Sequence, residues 1–128
     1  MPKWTHTDVL DNGLNEIVNN GDVLHVISAY AAADNYATVT GNSVANYSLA
    51  GGDKTLAAHA TTGRKVTIGA KSGNNATATA ASPDLHLAVV DSVNSKVLYV
   101  TDETSDQPIT SGNPVNTPAF DLQLPQPV

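Results

Sequence analysis

Four histidines and the acids of one short stretch are the groups in this chain best suited to chemistry. The histidines are His6, His25, His59 and His86. Residues 85–103, LHLAVVDSVNSKVLYVTDE, place His86 near Asp91, Asp102 and Glu103. Imidazole with carboxylate can hold a divalent metal or carry out general acid–base catalysis. No two of the histidines stand at the H-x-H or H-x-x-x-H spacing that puts two ligands on one face of a strand or helix. A metal centre would therefore need distant residues to converge. A Ser-His-Asp triad lacks its G-x-S-x-G elbow. Gly51-Gly52 and the SGNN of residues 72–75 lack the glycine–lysine pattern of a phosphate cradle and read as turns. Nothing sets two carboxylates at the separation of roughly 5–10 Å that glycoside cleavage requires. The expectation is no enzyme, no metal and no cofactor.

Residues 85–103 read instead as a β-hairpin, with its tip at Asn94-Ser95 or across residues 92–95. Either tip sorts Leu85, Leu87, Val89, Leu98 and Val100 to one face, the core. His86, Ala88, Val90, Val97, Tyr99 and Thr101 go to the other, semi-polar face. The longer tip also sets Asp91 opposite Lys96, a charge pair worth roughly 0.2–1 kcal/mol. Asp102 and Glu103 then end the strand as solvated carboxylates.

The elements around this hairpin favour a mainly β fold. Residues 7–21 read as a helix, with Leu10, Leu14, Ile17 and Val18 on one stripe, Thr7 as cap, Gly13 inside and Gly21 at the end. Residues 22–30 and 42–50 then read as strands, with a turn at Gly51-Gly52-Asp53. Residues 64–80 read as a strand, a turn and a second strand of small residues. Residues 31–43 and 101–117 read as loops. The last strand alternates, with Phe120, Leu122 and Leu124 against Asp121 and Gln123, while Pro114 and Pro118 belong to an edge or loop. The expected architecture is a small antiparallel β-sandwich or barrel with one N-terminal α-helix. It forms a single domain, with an arm and helix over residues 1–21 and a β domain over 22–128.

Composition narrows the partners. The 128 residues are 41% hydrophobic but only 5% aromatic, so the core is thin and association with other subunits is a natural remedy. The net charge is −6, and the basic residues stand singly apart from Arg64-Lys65. That argues against nucleic acid, which is bound by releasing counterions from phosphates, and against an anionic membrane surface. There is no cysteine. MPKWTHTD has no apolar signal core, and the longest apolar run, residues 23–33, is interrupted by His25 and Ser28. It is short of the roughly 20 residues that span a bilayer, and the chain is expected to be made soluble in the cytosol. Tyr30, Tyr36 and Tyr47 are either a sugar-stacking platform or half-buried packing residues. Trp4 either plugs the domain's own core or anchors a neighbour.

TDVLDNGLNEIVNN, TTGRKVTIGAKSGNNATATA, HLAVVDSVNSKVLYVTD and ITSGNPVNTPAFDLQL resemble, in that order, a group of small virion proteins of tailed bacteriophages. The likeness covers nearly the whole chain and is weakest over residues 31–60. Phe120-Asp121-Leu122 stands where such relatives carry tryptophan, an acid and isoleucine. The resemblance implies a structural role: a head decoration, or cement, protein on the capsid exterior. Its partner would be the major capsid protein, and a homo-oligomer, a trimer, is expected. A tail or fibre component that recognises host glycans is the alternative. Trp4, Leu10, Leu14 and Ile17 are the candidate subunit or capsid contacts. For Leu14 and Ile17 the competing reading, that the helix stripe covers the protein's own sheet, is favoured.

Overall fold

The computed structural model describes residues 4–5, 13–58 and 64–124. In chain order the elements are β1 (Trp4–Thr5), α1 (Asn15–Asn20), β2 (Val23–Ile27), α2 (Tyr36–Gly41), β3 (Ser43–Ser48), a 3-10 turn (Gly51–Asp53), β4 (Lys54–Ala58), β5 (Arg64–Ile68), β6 (His86–Asp91), β7 (Lys96–Asp102) and β8 (Phe120–Leu124). The strands make a five-stranded sheet, β1-β7-β6-β2-β3, and a three-stranded sheet, β4-β5-β8. All the pairings are antiparallel, and the sheets form a sandwich rather than a closed barrel.

Two apolar layers follow from this arrangement. The main core lies between the sheets: Leu24, Val26, Val44, Tyr47, Leu87 and Val89 of the large sheet meet Val66, Ile68 and Leu122 of the small one. A second layer lies on the outer face of the large sheet, where Ala88, Val90, Val97 and Val100 are covered by Tyr30 and by Val39 of α2. Strands buried on both faces need apolar side chains at successive positions, and the run from Leu87 to Val90 supplies them. On the small sheet, β8 alternates as its sequence predicts. Leu122 is buried, while Asp121 on the other face accepts from Thr67 Oγ1 at 2.6 Å and pairs with Lys65 at 3.4 Å.

The helix expected over residues 7–21 is shorter. Gly13 sits in a turn with φ of +69°, a left-handed conformation that a right-handed helix cannot contain, and α1 begins after it. Residues 6–12, including Leu10, lie outside the described residues. Gly21 does end the helix, its N–H reaching the Ile17 carbonyl at 2.9 Å, but with φ of −71°. The need for glycine is steric: a Cβ there would stand 2.8 Å from the Ile17 carbonyl oxygen and 3.0 Å from Val89 Cγ1.

Other elements differ from expectation where local pattern misleads. Residues 31–43 contain α2, whose N-cap Asn35 accepts from the Thr38 N–H at 2.9 Å. β4 forms from Lys-Thr-Leu-Ala-Ala because it pairs along its whole length with β5. The small-residue segment after Gly69 makes only isolated bridges, Lys71 to Thr117, Asn75 to Pro114 and Ala80 to Ile109. It serves as a strap between β3 and the long 103–118 connection, giving Thr77 N–H to Val44 at 2.7 Å and Ala76 N–H to Asn113 at 2.7 Å.

Lys54 is buried, and its ammonium donates to the Gly21 carbonyl at 2.5 Å. This joins the small sheet to the negative end of α1. Lys54→Met is expected to lower unfolding stability by about 1.5–3 kcal/mol, the worth of a hydrogen bond to a charged group, read as a drop in the urea midpoint. Gly21→Ala should cost about 1–3 kcal/mol through overpacking in the same assay, with the fold retained by circular dichroism.

Candidate functional site

The β6–β7 hairpin turns across residues 92–95, the longer of the two expected tips, with Asp91 opposite Lys96. Asp91 is buried, and its carboxylate accepts from the N–H groups of Val93 and Asn94, both at 3.1 Å, and from Asn94 Nδ2 at 2.8 Å. Its role is to fix the tip. Asp22 braces the same turn, accepting from the Ser92 N–H at 2.8 Å and from its hydroxyl.

Beyond the tip the pairing departs from regular alternation. Val90 faces Val97 and Val89 faces Tyr99, so Leu98 is an extra residue in β7, a bulge. Leu98 and Tyr99 therefore both reach the main core, Tyr99 stacking on Phe120 with centroids 6.4 Å apart. Val100 turns to the outer layer. The expected faces of Tyr99 and Val100 are thus exchanged, and Thr101 lies opposite Leu87 rather than beside His86.

The bulge also sets Asp102, not Thr101, opposite His86. His86 is fully buried, its ring 5.7 Å from that of Tyr30. Its Nδ1 lies 3.0 Å from the Asp84 carbonyl oxygen. A carbonyl only accepts, so Nδ1 carries a proton and donates. On the far side of the ring, Nε2 is 3.9 Å from Asp102 Oδ1, too long for a hydrogen bond. Nε2, Asp102 Oδ1 and Asp84 Oδ1 are all buried without a hydrogen-bond partner. Ligand atoms of these three residues lie within 4.8 Å of one another. Asp102 is thus largely buried, its side chain 17% exposed, and not the solvated carboxylate expected. A search for paired histidines overlooks this group. Its sequence signal is Asp84-Leu85-His86, an acid and an imidazole two residues apart, the spacing of one strand face.

The other sequence-singled residues are dispersed. Leu14 and Ile17 are buried in the main core, so their side chains cover the protein's own sheets. The Trp4 backbone pairs with Val100 at the edge of the large sheet. Tyr47 is a core pillar, donating its hydroxyl to the Val115 carbonyl at 2.5 Å and accepting from the Asn74 N–H at 3.1 Å. Tyr30 and Tyr36 belong to the layer on the opposite face of the sheet. The three tyrosines do not assemble into one platform.

A groove of about 730 Å³ opens beside the main core, floored by Val26, Leu85 and Leu87 and walled by the 103–118 connection. Glu103 is the one ionisable side chain in its lining, and its Oε1 accepts from the Ser105 N–H at 3.1 Å. Among the described residues, no helix is long and apolar enough to cross a membrane. No family model, curated protein or solved structure matches the chain.

His25 lies opposite Ala88 and Asn46 and outside the Asp84–His86–Asp102 group. The Ser43 hydroxyl accepts from its Nδ1 at 2.8 Å and donates to the Ala45 carbonyl at 3.1 Å. Burial holds the imidazole below its ordinary 6.5, against a smaller opposing pull from Asp22. The unfolded chain therefore takes up this proton more readily than the folded one. The contribution is complete above pH 6.5 and is lost as pH falls from there through the folded value. His25→Gln should flatten the fall in urea midpoint across that acid window, measured from pH 7.5 downward.

Proposed function

We propose that the chain is a structural component of a tailed-phage virion that decorates the head, bound to the major capsid protein as a homo-oligomer, a trimer. Two things support this reading. One is the resemblance of four ordered motifs over nearly the whole chain. The other, the observation that carries it at the level of geometry, is how the charged side chains are used. Asp22 and Asp91 fix the hairpin tip. Asp53 holds the 3-10 turn by accepting from the Ala50 N–H at 2.8 Å and pairs with Lys71 at 3.1 Å. Asp121 ties β8 to β5. These ionisable groups brace turns and strands, and the molecule acts through its surfaces. Among the described residues, large apolar side chains are exposed at Val93 on the hairpin tip and at Leu56 on the edge strand β4. The short β1 strand, Trp4–Thr5, lies at the other sheet's edge, beside β7. Contacts of this kind, repeated over a shell, bind through multivalency even when each is weak.

Co-sedimentation of the purified protein with undecorated capsids tests the reading. Saturable binding at a fixed ratio to the major capsid protein is expected, with a free mass that gives the oligomeric state. If the arm docks through its tryptophan, Trp4→Ala weakens shell binding by roughly 30-fold, the about 2 kcal/mol typical of an anchoring residue. Binding to purified tails and not to heads would assign the chain to the tail or fibre instead.

A further inference from the structure

We propose that Asp84, His86 and Asp102 bind a divalent first-row transition-metal ion, of which Zn²⁺ is the working probe. This goes beyond the virion role and does not rest on it. His86 donates Nδ1–H to the Asp84 carbonyl at 3.0 Å, leaving the Nε2 lone pair unpartnered and 3.9 Å from Asp102 Oδ1. Asp84 Oδ1 is likewise buried and unpartnered, and the three residues offer ligand atoms within 4.8 Å of one another. Burial of a polar atom without a partner costs about 1–3 kcal/mol, more for charged groups, so the cluster calls for a cation at its centre. An imidazole whose other nitrogen is held by a backbone carbonyl is the usual second-shell arrangement of a metal-bound histidine.

The donor set selects the class of ion. One imidazole and two carboxylates suit zinc, iron or manganese, whereas calcium and magnesium favour all-oxygen sites. Zinc takes nitrogen and oxygen ligands at about 2.0–2.2 Å, which sets tetrahedral ligand atoms roughly 3.4 Å apart. The Nε2–Asp102 Oδ1 separation is 3.9 Å and the whole set lies within 4.8 Å. Rotation of the two aspartates closes the site, while the histidine stays locked under Tyr30. The partial exposure of Asp102 gives the ion an entry path and leaves a position for water. The ion ties the start of β6 to the end of β7, at the point where the wall of the groove departs. Nothing about its place implies turnover; its effect is on stability.

The full chain, stripped with a chelator, is titrated with ZnCl₂ against a chromophoric competitor and followed by thermal unfolding. The expected result is uptake of one equivalent, a midpoint that rises with zinc concentration as mass action requires, and visible absorption when Co²⁺ replaces Zn²⁺. Asp102→Asn and Asp84→Asn preserve shape and folding, and each should weaken zinc binding by at least about 100-fold, beyond what loss of an outer-shell partner costs. His25→Gln should bind as the wild type does. The proposal is overturned if the wild type takes up no zinc and its midpoint does not move. It is equally overturned if both asparagine variants bind as tightly as the wild type, which would place the ion elsewhere in the chain.

Discussion

Every residue of β6 is buried, and the strand lies inside the large sheet between β7 and β2. A strand in that position must satisfy two apolar layers at once. Leu87 and Val89 do so toward the small sheet, and Ala88 and Val90 toward α2. Burying a side chain of this size is worth roughly 1.5–3 kcal/mol, so the hairpin's alternation is strongly enforced. The rest of the fold is arranged around it. α1 rests against its inner side through Ile17, with Gly21 so close to Val89 that a Cβ there would stand 3.0 Å from it, and the terminal strand extends the sheet beyond β7.

The bulge at Leu98 is the point where that constraint becomes chemistry. One additional residue in β7 lets Leu98 and Tyr99 both fill the main core, and it advances everything after them by one position. Asp102 then faces His86 across the sheet. The contrast with the other carboxylates is informative. Asp91 collects three donors and Asp53 takes an N–H and an ammonium, whereas the inward oxygens of Asp84 and Asp102 collect none. A chain that satisfies its acids so consistently at turns leaves this group distinct. An ion bound there, as proposed, would strengthen the fold at the junction of sheet and groove.

Much of the framework was legible in the residues. β-branched runs marked β2 and β5, and alternation marked β3 and β8, while the hairpin was legible with its tip left between two lengths until the pairing of Asp91 with Lys96 decided it. The elements that were missed share a cause. α2 is six residues long with a single strong cue, Asn35, and β4 has an alanine-rich sequence that only its pairing with β5 makes a strand. The alanine–threonine stretch near residue 78 looks extended, yet it makes bridges where a ladder was expected, one of them to Pro114, which has no N–H to give.

The sequence by itself determined the β class, the presence of the hairpin, the alternation of the last strand and the glycine that stops the helix. These are properties of side-chain period and backbone freedom, which act over a few neighbouring residues. Only the tertiary structure decided that Gly13 stands before the helix, that Lys54 caps it from another sheet, and that Tyr99 and Val100 exchange faces. It alone brought Asp84, His86 and Asp102 together. Each of these depends on register between segments far apart in the chain, and register is set by how two buried faces pack, which no local pattern encodes.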